Sequence, residues 1–479
     1  MGLKKNVVYS GLLTTSLYIF QFITYPYVSR VLGVNNIGIC NFAQSFVLYF
    51  SLFSMFGITS LGVREIAKCN GDQIKLNKVF SEIFQFNIFL TAIVVCIYLI
   101  TIVSVPQLSS YRKLLYVGAF QIIFNTLTVE WLYKGLENFQ YITLRTIFVR
   151  VLYVISIFVF VREPGDYGLY FMITVGLYVL NGIINSVYST NLIRFTRQSI
   201  KAIWCKYSRP ILFLGSQAIL QTMYTSFNVV YLGFVAGDKQ VGYYTTATKI
   251  QGVILALYSS FTLVLMPRIS SLLAQNDRSR VKRLINMSFS LLYAFAFPVI
   301  ILSEILAPEI INLISGAGYE SSVLLFRMAI PLILIIGIEQ VLIVQLLLPL
   351  KADRAVFINS MIGGSVGLFL NVLLVGRMQS VGSIIVWTIS EFAVMLSALY
   401  FVRKKISITP SVRELSKYII SFFPLFIVCH VIHKNANQFI EILVVIFVIV
   451  IYTHFNLRFI VKNPLYINMI CQIRERILH

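Results

Sequence analysis

Apolar runs of about twenty residues follow one another from end to end of the chain, separated by short polar and basic stretches. At ~1.5 Å of helical rise per residue, each run is long enough to cross a hydrocarbon core of ~30 Å. The pattern predicts membrane helices over 7–31, 39–63, 81–104, 114–133, 142–161, 168–190 and 210–236, then 243–266, 284–306, 322–348, 355–376, 381–402, 417–433 and 438–457. The first run follows Lys4 and Lys5 and is too long for the apolar part of a secretory signal, so it reads as an uncleaved first span. The expected fold class is an all-α polytopic membrane protein of about fourteen transmembrane helices.

Composition agrees with lipid as the solvent. Of the 479 residues, 58% are apolar and 12% charged, about half the charged share of a soluble domain. The net charge is +21, which in a soluble protein would raise the question of nucleic acid. Here the basic residues sort by side instead. With a cytoplasmic N-terminus, and with Arg30, Arg145 and Lys417 near span ends counted with the side they adjoin, 29 of the 39 Lys and Arg fall on the cytoplasmic side and seven on the other, while Arg150, Lys249 and Arg327 are counted within spans. That asymmetry predicts a bacterial cytoplasmic (inner) membrane protein with both termini inside, and no nucleic-acid partner. The clusters Arg278–Arg283 and Arg403–Lys405 read as anchors beside anionic headgroups of the lipid bilayer. Six scattered cysteines show no metal-ligand spacing. Gly316-Ala-Gly318 lacks the strand–loop–helix context of a phosphate-binding loop. No metal and no cofactor is expected.

An internal repeat is visible at an offset of 204 residues. Tyr27/Tyr231, Val31/Val235, Gly33/Gly237, Gly38/Gly242, Ala43/Ala247 and Arg64/Arg268 coincide without a gap. The glycine pairs recur at the same helical hairpin. Spans 1 and 7 both leave the cytoplasmic side, so the halves would be parallel repeats, a common transporter plan. The expected organisation is a six-helix bundle over 1–200, a second over 201–405, and two additional helices with a cytoplasmic tail over 406–479.

Polar groups inside lipid are expensive and turn toward protein or water. Gln217, Gln221, Thr225 and Asn228 share one face of span 7, and Ser10, Thr14, Tyr18, Gln21 and Tyr25 form a similar stripe on span 1. Such stripes line either a wet cleft or an interhelical seam of hydrogen bonds. Lys249 and Arg150 lie seven to eight residues inside their spans, where a central charge costs ~2.5–3.5 kcal/mol on insertion scales. Arg30 and Arg327 are near span ends and can face the cleft or reach the headgroups. A cleft lined by these four cations suits an anionic substrate, with a membrane-borne diphosphate as the candidate. Apart from Glu82, Glu304 and Glu441 at span ends, the acidic residues within spans are Glu130, Glu339 and Glu391. A carboxyl in a low-dielectric cleft can exchange protons near neutrality, so these three either couple transport to protons or balance neighbouring cations.

The basic N-terminus, the polar first helix ending in SRVLGVNNIG and the following FAQSFVLYFSLFSMFGITSLGVREIA resemble the Wzx-type polysaccharide flippases. These belong to the multidrug/oligosaccharidyl-lipid/polysaccharide exporter superfamily, with the MATE exporters and the lipid II flippases. The resemblance covers the whole chain in length, helix number and two-bundle plan. It implies translocation of an undecaprenyl-diphosphate-linked oligosaccharide from the cytoplasmic to the periplasmic leaflet, by alternating access through a cationic cavity and without enzymatic chemistry. It further implies a cavity arginine at Arg30 and a cationic position at Lys249, and a polysaccharide polymerase and chain-length regulator as partners. Drug exporters tend to carry an acidic residue in the first helix, and 7–31 has none. Lipid II, a teichoic-acid precursor or a drug remain alternative cargoes. A polymerase or ligase is a further alternative, though the short outer loops disfavour it.

Overall fold

The computed structural model describes the chain except residues 1, 2, 70, 198, 407–410, 434–437, 464, 465, 468, 469 and 471–479. The described residues are helical throughout and contain no strand. Eleven helical stretches among them are long and apolar enough to cross a membrane. Some carry two of the expected spans. Ile19–Ser54 runs without a loop for 36 residues, and Asp353–Ile406 for 54.

The chain divides into two compact units. The first comprises Met1–Thr245 with Ser315–Gly318 and Gly367–Ser383. Its helices are α1 (Leu3–Ser54), α2 (Ile58–Ala67), α3 (Gln73–Ser104), α4 (Arg112–Leu127), α5 (Glu130–Gly135), α6 (Phe139–Phe160), α7 (Tyr167–Thr190), α8 (Ile200–Thr225) and α9 (Phe227–Ala236). It also takes in the start of α10 (Asp238–Ala274). Side chains of Asp72 and Asn138 accept backbone N–H groups at the starts of α3 and α6, satisfying donors that a helix start leaves open. In α1 the break between the first two spans is a single residue, Gly33 (φ 74°), a backbone conformation open to glycine at little cost. Expected span 4 is cut by Val129 (φ 37°) into α4 and α5.

Inside this unit α4 packs along α7, and α1 packs against α4 and α6. A dense apolar patch joins α2, α3, α5 and the start of α8 around the fully buried Trp131, whose ring stacks on Phe80 with centroids 5.3 Å apart.

The second unit is Thr246–Ile314, Tyr319–Val366 and Ile384–His479. It holds most of α10, then α11 (Arg278–Ile305), α12 (Ala307–Ser315), α13 (Ser321–Ala329) and α14 (Leu332–Gln340). α14 runs directly into a π-helical stretch, Val341–Leu347. α15 (Asp353–Leu370) and α16 (Gly376–Ile406) follow; their junction, with the π-helical Asn371–Val375 and a break in α16 at Gln379 (φ 50°), counts with the first unit. α17 (Val412–His433) and α18 (Gln438–Phe455) follow, the latter ending in a π-helical turn, Asn456–Ile460. α11 and α17 pack through the rings of Tyr293, Phe297, Tyr418 and Phe422, and α18 joins them with Tyr452 edge-on to Phe422.

The outer faces reverse the usual sorting of a soluble protein. Phe22, Ile100, Phe369, Ile420 and Phe447 are each more than half exposed, while asparagines, glutamines and an arginine are buried inside. Hydrocarbon accounts for both: apolar side chains face the tails and polar ones must find partners within the protein.

Candidate functional site

In the first unit, the chemistry centres on α6. Arg145 is buried, its side chain only 4% exposed. Its Nη2 donates to Glu130 Oε1 at 3.0 Å and its Nη1 to Asn181 Oδ1 at 2.5 Å. Lys134 pairs with the other Glu130 oxygen at 3.1 Å. Asn185, one turn beyond Asn181, donates to the Thr128 carbonyl and accepts from the Tyr141 hydroxyl at 3.0 Å. That pair of bonds stitches the α4–α5 break to α6 and α7. Five residues after Arg145, Arg150 is half-buried beside Tyr153 and Tyr178, and its Nε is buried without a hydrogen-bond partner. One carboxylate therefore serves three cations, leaving this interior electropositive.

The remaining predicted residues of the unit lie elsewhere in it. Gln21 is half-buried on α1, just before the buried Thr24 and Tyr25. Arg30 is exposed at the end of the first limb of α1, its stem against Gly316. This limb is pinned by the Tyr27 hydroxyl, which donates to the Val161 carbonyl at 2.8 Å, and by Asn36, which donates to the Pro164 carbonyl at 2.8 Å. Gln217 is half-buried on α8. Gln221 and Thr225, with Ser10, Thr14 and Tyr18 of the first stripe, lie outside the described side chains. Asn228 is fully buried and its hydrogen bonds go to neighbours. It accepts from Asn371 Nδ2 at 2.7 Å and donates to the Tyr244 hydroxyl at 3.3 Å and the Ser383 carbonyl at 3.4 Å.

The repeat offset has a direct structural expression in this unit. Asn41 Nδ2 donates to Thr245 Oγ1 at 2.8 Å, and the two residues are 204 apart. Gly38 and Gly242 sit in the same crossing: a methyl on the first would strike the Asp238 carbonyl, and one on the second the Val34 carbonyl.

In the second unit, Glu339 of α14 and Glu391 of α16 face one another. Trp387 Nε1 donates to Glu391 Oε1 at 2.9 Å, and Glu391 is 4% exposed. Glu339 Oε2 is buried with no partner. The next residue, Gln340, donates to Ser259 Oγ of α10 at 2.8 Å. On the same two stretches, the buried hydroxyls of Tyr258 and Thr262 on α10 face each other, and Gln345 of the π-helical stretch is buried without a hydrogen-bond partner. Lys249 is half-buried on α10, ten residues before Ser259. Arg327 donates from Nε to the Glu304 carbonyl at 3.0 Å. No group of three His, Cys, Asp or Glu placed to hold a metal occurs among the described residues.

The structure thus separates the three glutamates. Glu130 is an ion-paired counter-charge, whereas Glu339 and Glu391 form a pair. Arg145, which the sequence does not single out, is the buried hub of α6. Its signal lay in Asn181 and Asn185, two amides four residues apart within an otherwise apolar helix.

A family model described as polysaccharide biosynthesis protein matches residues 3–273. The chain belongs to the polysaccharide biosynthesis protein family. Among members of similar sequence is one from Escherichia coli (strain K12) named as an O-antigen transporter. It is 26% identical over 410 residues, covering 84% of this chain and 97% of that one. A second, from Shigella dysenteriae and named likewise, is 27% identical over 287 residues, 58% of this chain and 70% of that one. In fold this polysaccharide biosynthesis protein is similar to the lipid II flippase MurJ in an inward closed conformation. The TM-score is 0.78 over 94% of this chain and 99% of that one, at 15% identity. An inward-facing MATE family multidrug transporter gives a TM-score of 0.58 over 83% and 98% of the two chains, at 12% identity. These likenesses speak to fold, and place the protein among multi-pass membrane proteins.

Proposed function

We propose that the protein is a flippase that moves undecaprenyl-diphosphate-linked oligosaccharide repeat units from the cytoplasmic to the periplasmic leaflet of the inner membrane. The observation that carries this reading is the 26% identity to a chain named as an O-antigen transporter, over 84% of this chain and 97% of that one. The electropositive interior of the first unit supports it, since Arg145 and Arg150 share one carboxylate and suit an anionic cargo. In this reading Arg150, Arg30, Lys249 and Arg327 meet the diphosphate as the protein alternates its access. Gln21, Gln217 and Gln221 offer amides to the sugar, and Asn228 holds helices together. Both termini are cytoplasmic, following the side that holds most Lys and Arg. A polysaccharide polymerase and a chain-length regulator receive the product.

Outward movement of a dianion is favoured by an inside-negative potential, at ~2.3 kcal/mol per charge per 100 mV. The Glu339–Glu391 pair adds a carrier for inward protons, while Glu130 acts as a counter-ion. The similarity in fold to a lipid II flippase favours lipid II as the second reading.

The test is complementation in two strains, one lacking its O-antigen transporter and one depleted of its lipid II flippase. Restored surface polysaccharide in the first, with no rescue of growth in the second, supports the proposal. Rescue of growth alone would replace it with the lipid II reading.

A further inference from the structure

A second polar region lies apart from the candidate residues above, where the first turns of α11 and α17 meet the end of the last described helix in the second unit. It is a cavity of about 740 Å³, within the usual range for a small-molecule site. Three cations line it, Arg283, Lys417 and Lys462, against one carboxylate, Glu414. Lys417 donates to the Val461 carbonyl at 2.8 Å, which fixes its stem and leaves its charge uncompensated.

The interior of the cavity is built. Asn463 is 2% exposed and donates to Ser290 Oγ at 2.9 Å and to the Tyr418 hydroxyl at 2.8 Å. Beside this network stands Tyr293, 1% exposed, which also lines the cavity and whose buried hydroxyl has no hydrogen-bond partner. A buried hydroxyl without a partner is costly, so it marks a position where a ligand acceptor would be stabilised. Lys462 takes the left-handed cap of the last helix (φ 56°), with the Asn463 N–H returning to the Leu457 carbonyl at 2.8 Å. Glycine is the ordinary occupant of such a cap, so a lysine here accepts backbone strain at the cavity mouth.

We propose that this cavity binds the headgroup of an anionic glycerophospholipid, its phosphate held by Arg283 and Lys462 with the Tyr293 hydroxyl donating to a phosphate oxygen. The wall formed by Met287, Phe289 and Val461 is apolar and suits the glycerol and first acyl carbons better than a free anion. Down α17 from Lys417, Ile420, Phe423 and Ile427 are exposed at 72%, 62% and 48%, an apolar stripe for the acyl chains. The site lies on the Lys- and Arg-rich side of the chain, where basic residues attract anionic headgroups. The proposal stands apart from the transport reading and does not depend on the cargo.

The test uses the full chain, purified in detergent, and follows thermal unfolding during titration with dioctanoyl phosphatidylglycerol. Dioctanoyl phosphatidylcholine and inorganic phosphate serve as comparison probes. Phosphatidylglycerol is expected to raise the unfolding temperature with saturation, and neither other probe to do so at equal concentration. Arg283→Gln with Lys462→Gln should raise the half-saturating concentration by at least about tenfold. Tyr293→Phe keeps the ring and every charge, and should raise it about threefold or more. An equal response to phosphatidylcholine, or a shift reproduced by inorganic phosphate, overturns the lipid assignment. A Tyr293→Phe protein that binds like the parent overturns the site itself, even where the charge variant fails to fold.

Discussion

Gly33 and Gly237, 204 positions apart, hold one backbone conformation: φ 74°, ψ 168° at the first and φ 82°, ψ 177° at the second. Each interrupts a helix at a single residue, between α1's two limbs and between α9 and α10. Five residues on, Gly38 and Gly242 pack in one crossing, and three further on Asn41 bonds Thr245. The repeat is therefore a structural device as well as a sequence echo, in which equivalent residues of the two copies meet one another.

That crossing leaves no room for a side chain. Gly38→Ala and Gly242→Ala each set a methyl against a backbone carbonyl, and should lower stability by about 1–3 kcal/mol, read as a fall in unfolding temperature and in membrane abundance. Gly252→Ala is the control, because nothing lies within 4 Å of the added carbon. Equal behaviour of the three variants would mean that the crossing relaxes freely.

What the sequence made legible follows from how lipid acts on a chain. Long apolar runs mark spans because hydrocarbon tolerates little else, and the offset glycines mark the repeat because side chains are excluded there. Positions set by packing were harder to read. Val129 breaks expected span 4 with φ 37°, although nothing about valine announces a break. Arg145 sits near a span end in sequence, and only the fold shows that it points inward to Glu130 and Asn181. Asn228 matched a polar stripe, but Asn371, its partner 143 residues away, decides what it does.

The Arg145–Glu130 pair should behave asymmetrically. Arg145 is 4% exposed and Glu130 35%, and Glu130 keeps Lys134 when Arg145 is removed. Glu130→Gln strands a buried cation and should cost about 3–5 kcal/mol, whereas Arg145→Met should cost less. The double variant should recover more than 1 kcal/mol relative to the sum of the singles. Thermal unfolding of the four proteins measures the cycle, and strict additivity would mean that the pair contributes nothing.

Lys249 is half-buried on α10. Lys249→Ala should abolish surface polysaccharide while the protein stays in the membrane at near-normal level. Lys249→Arg should be partly tolerated, since the charge is kept and the geometry changes. Immunoblots of membranes beside polysaccharide gels check both, and normal transport by the alanine variant would reduce Lys249 to a structural role.

Orientation is open to a direct test at turns the structure supplies. Reporter fusions after residues 108 and 165 lie in the short turns Pro106–Tyr111 and Pro164–Asp166 and should report periplasm. Fusions after 137, 276 and 351, at positions of positive φ between helices, should report cytoplasm. An inversion past residue 200 would remove the parallel relation between the halves.

Energy coupling separates the three candidate carboxylates. Glu130 already balances Arg145 and Lys134, so a proton there would strand two cations. Glu339 and Glu391 face each other, with Trp387 Nε1 donating to Glu391 Oε1, and two carboxyls in contact can share a proton between their oxygens. In proteoliposomes, Glu339→Gln and Glu391→Gln should each flatten the dependence of transport on an imposed pH gradient, because either change fixes the pair in its protonated shape. Both should keep the response to an imposed electrical potential, which acts on the cargo's own charge. Glu130→Gln, in whatever fraction folds, should retain the pH dependence. If pH dependence survives in both pair variants, protons do not couple through this pair and the potential, or another ion, drives the step.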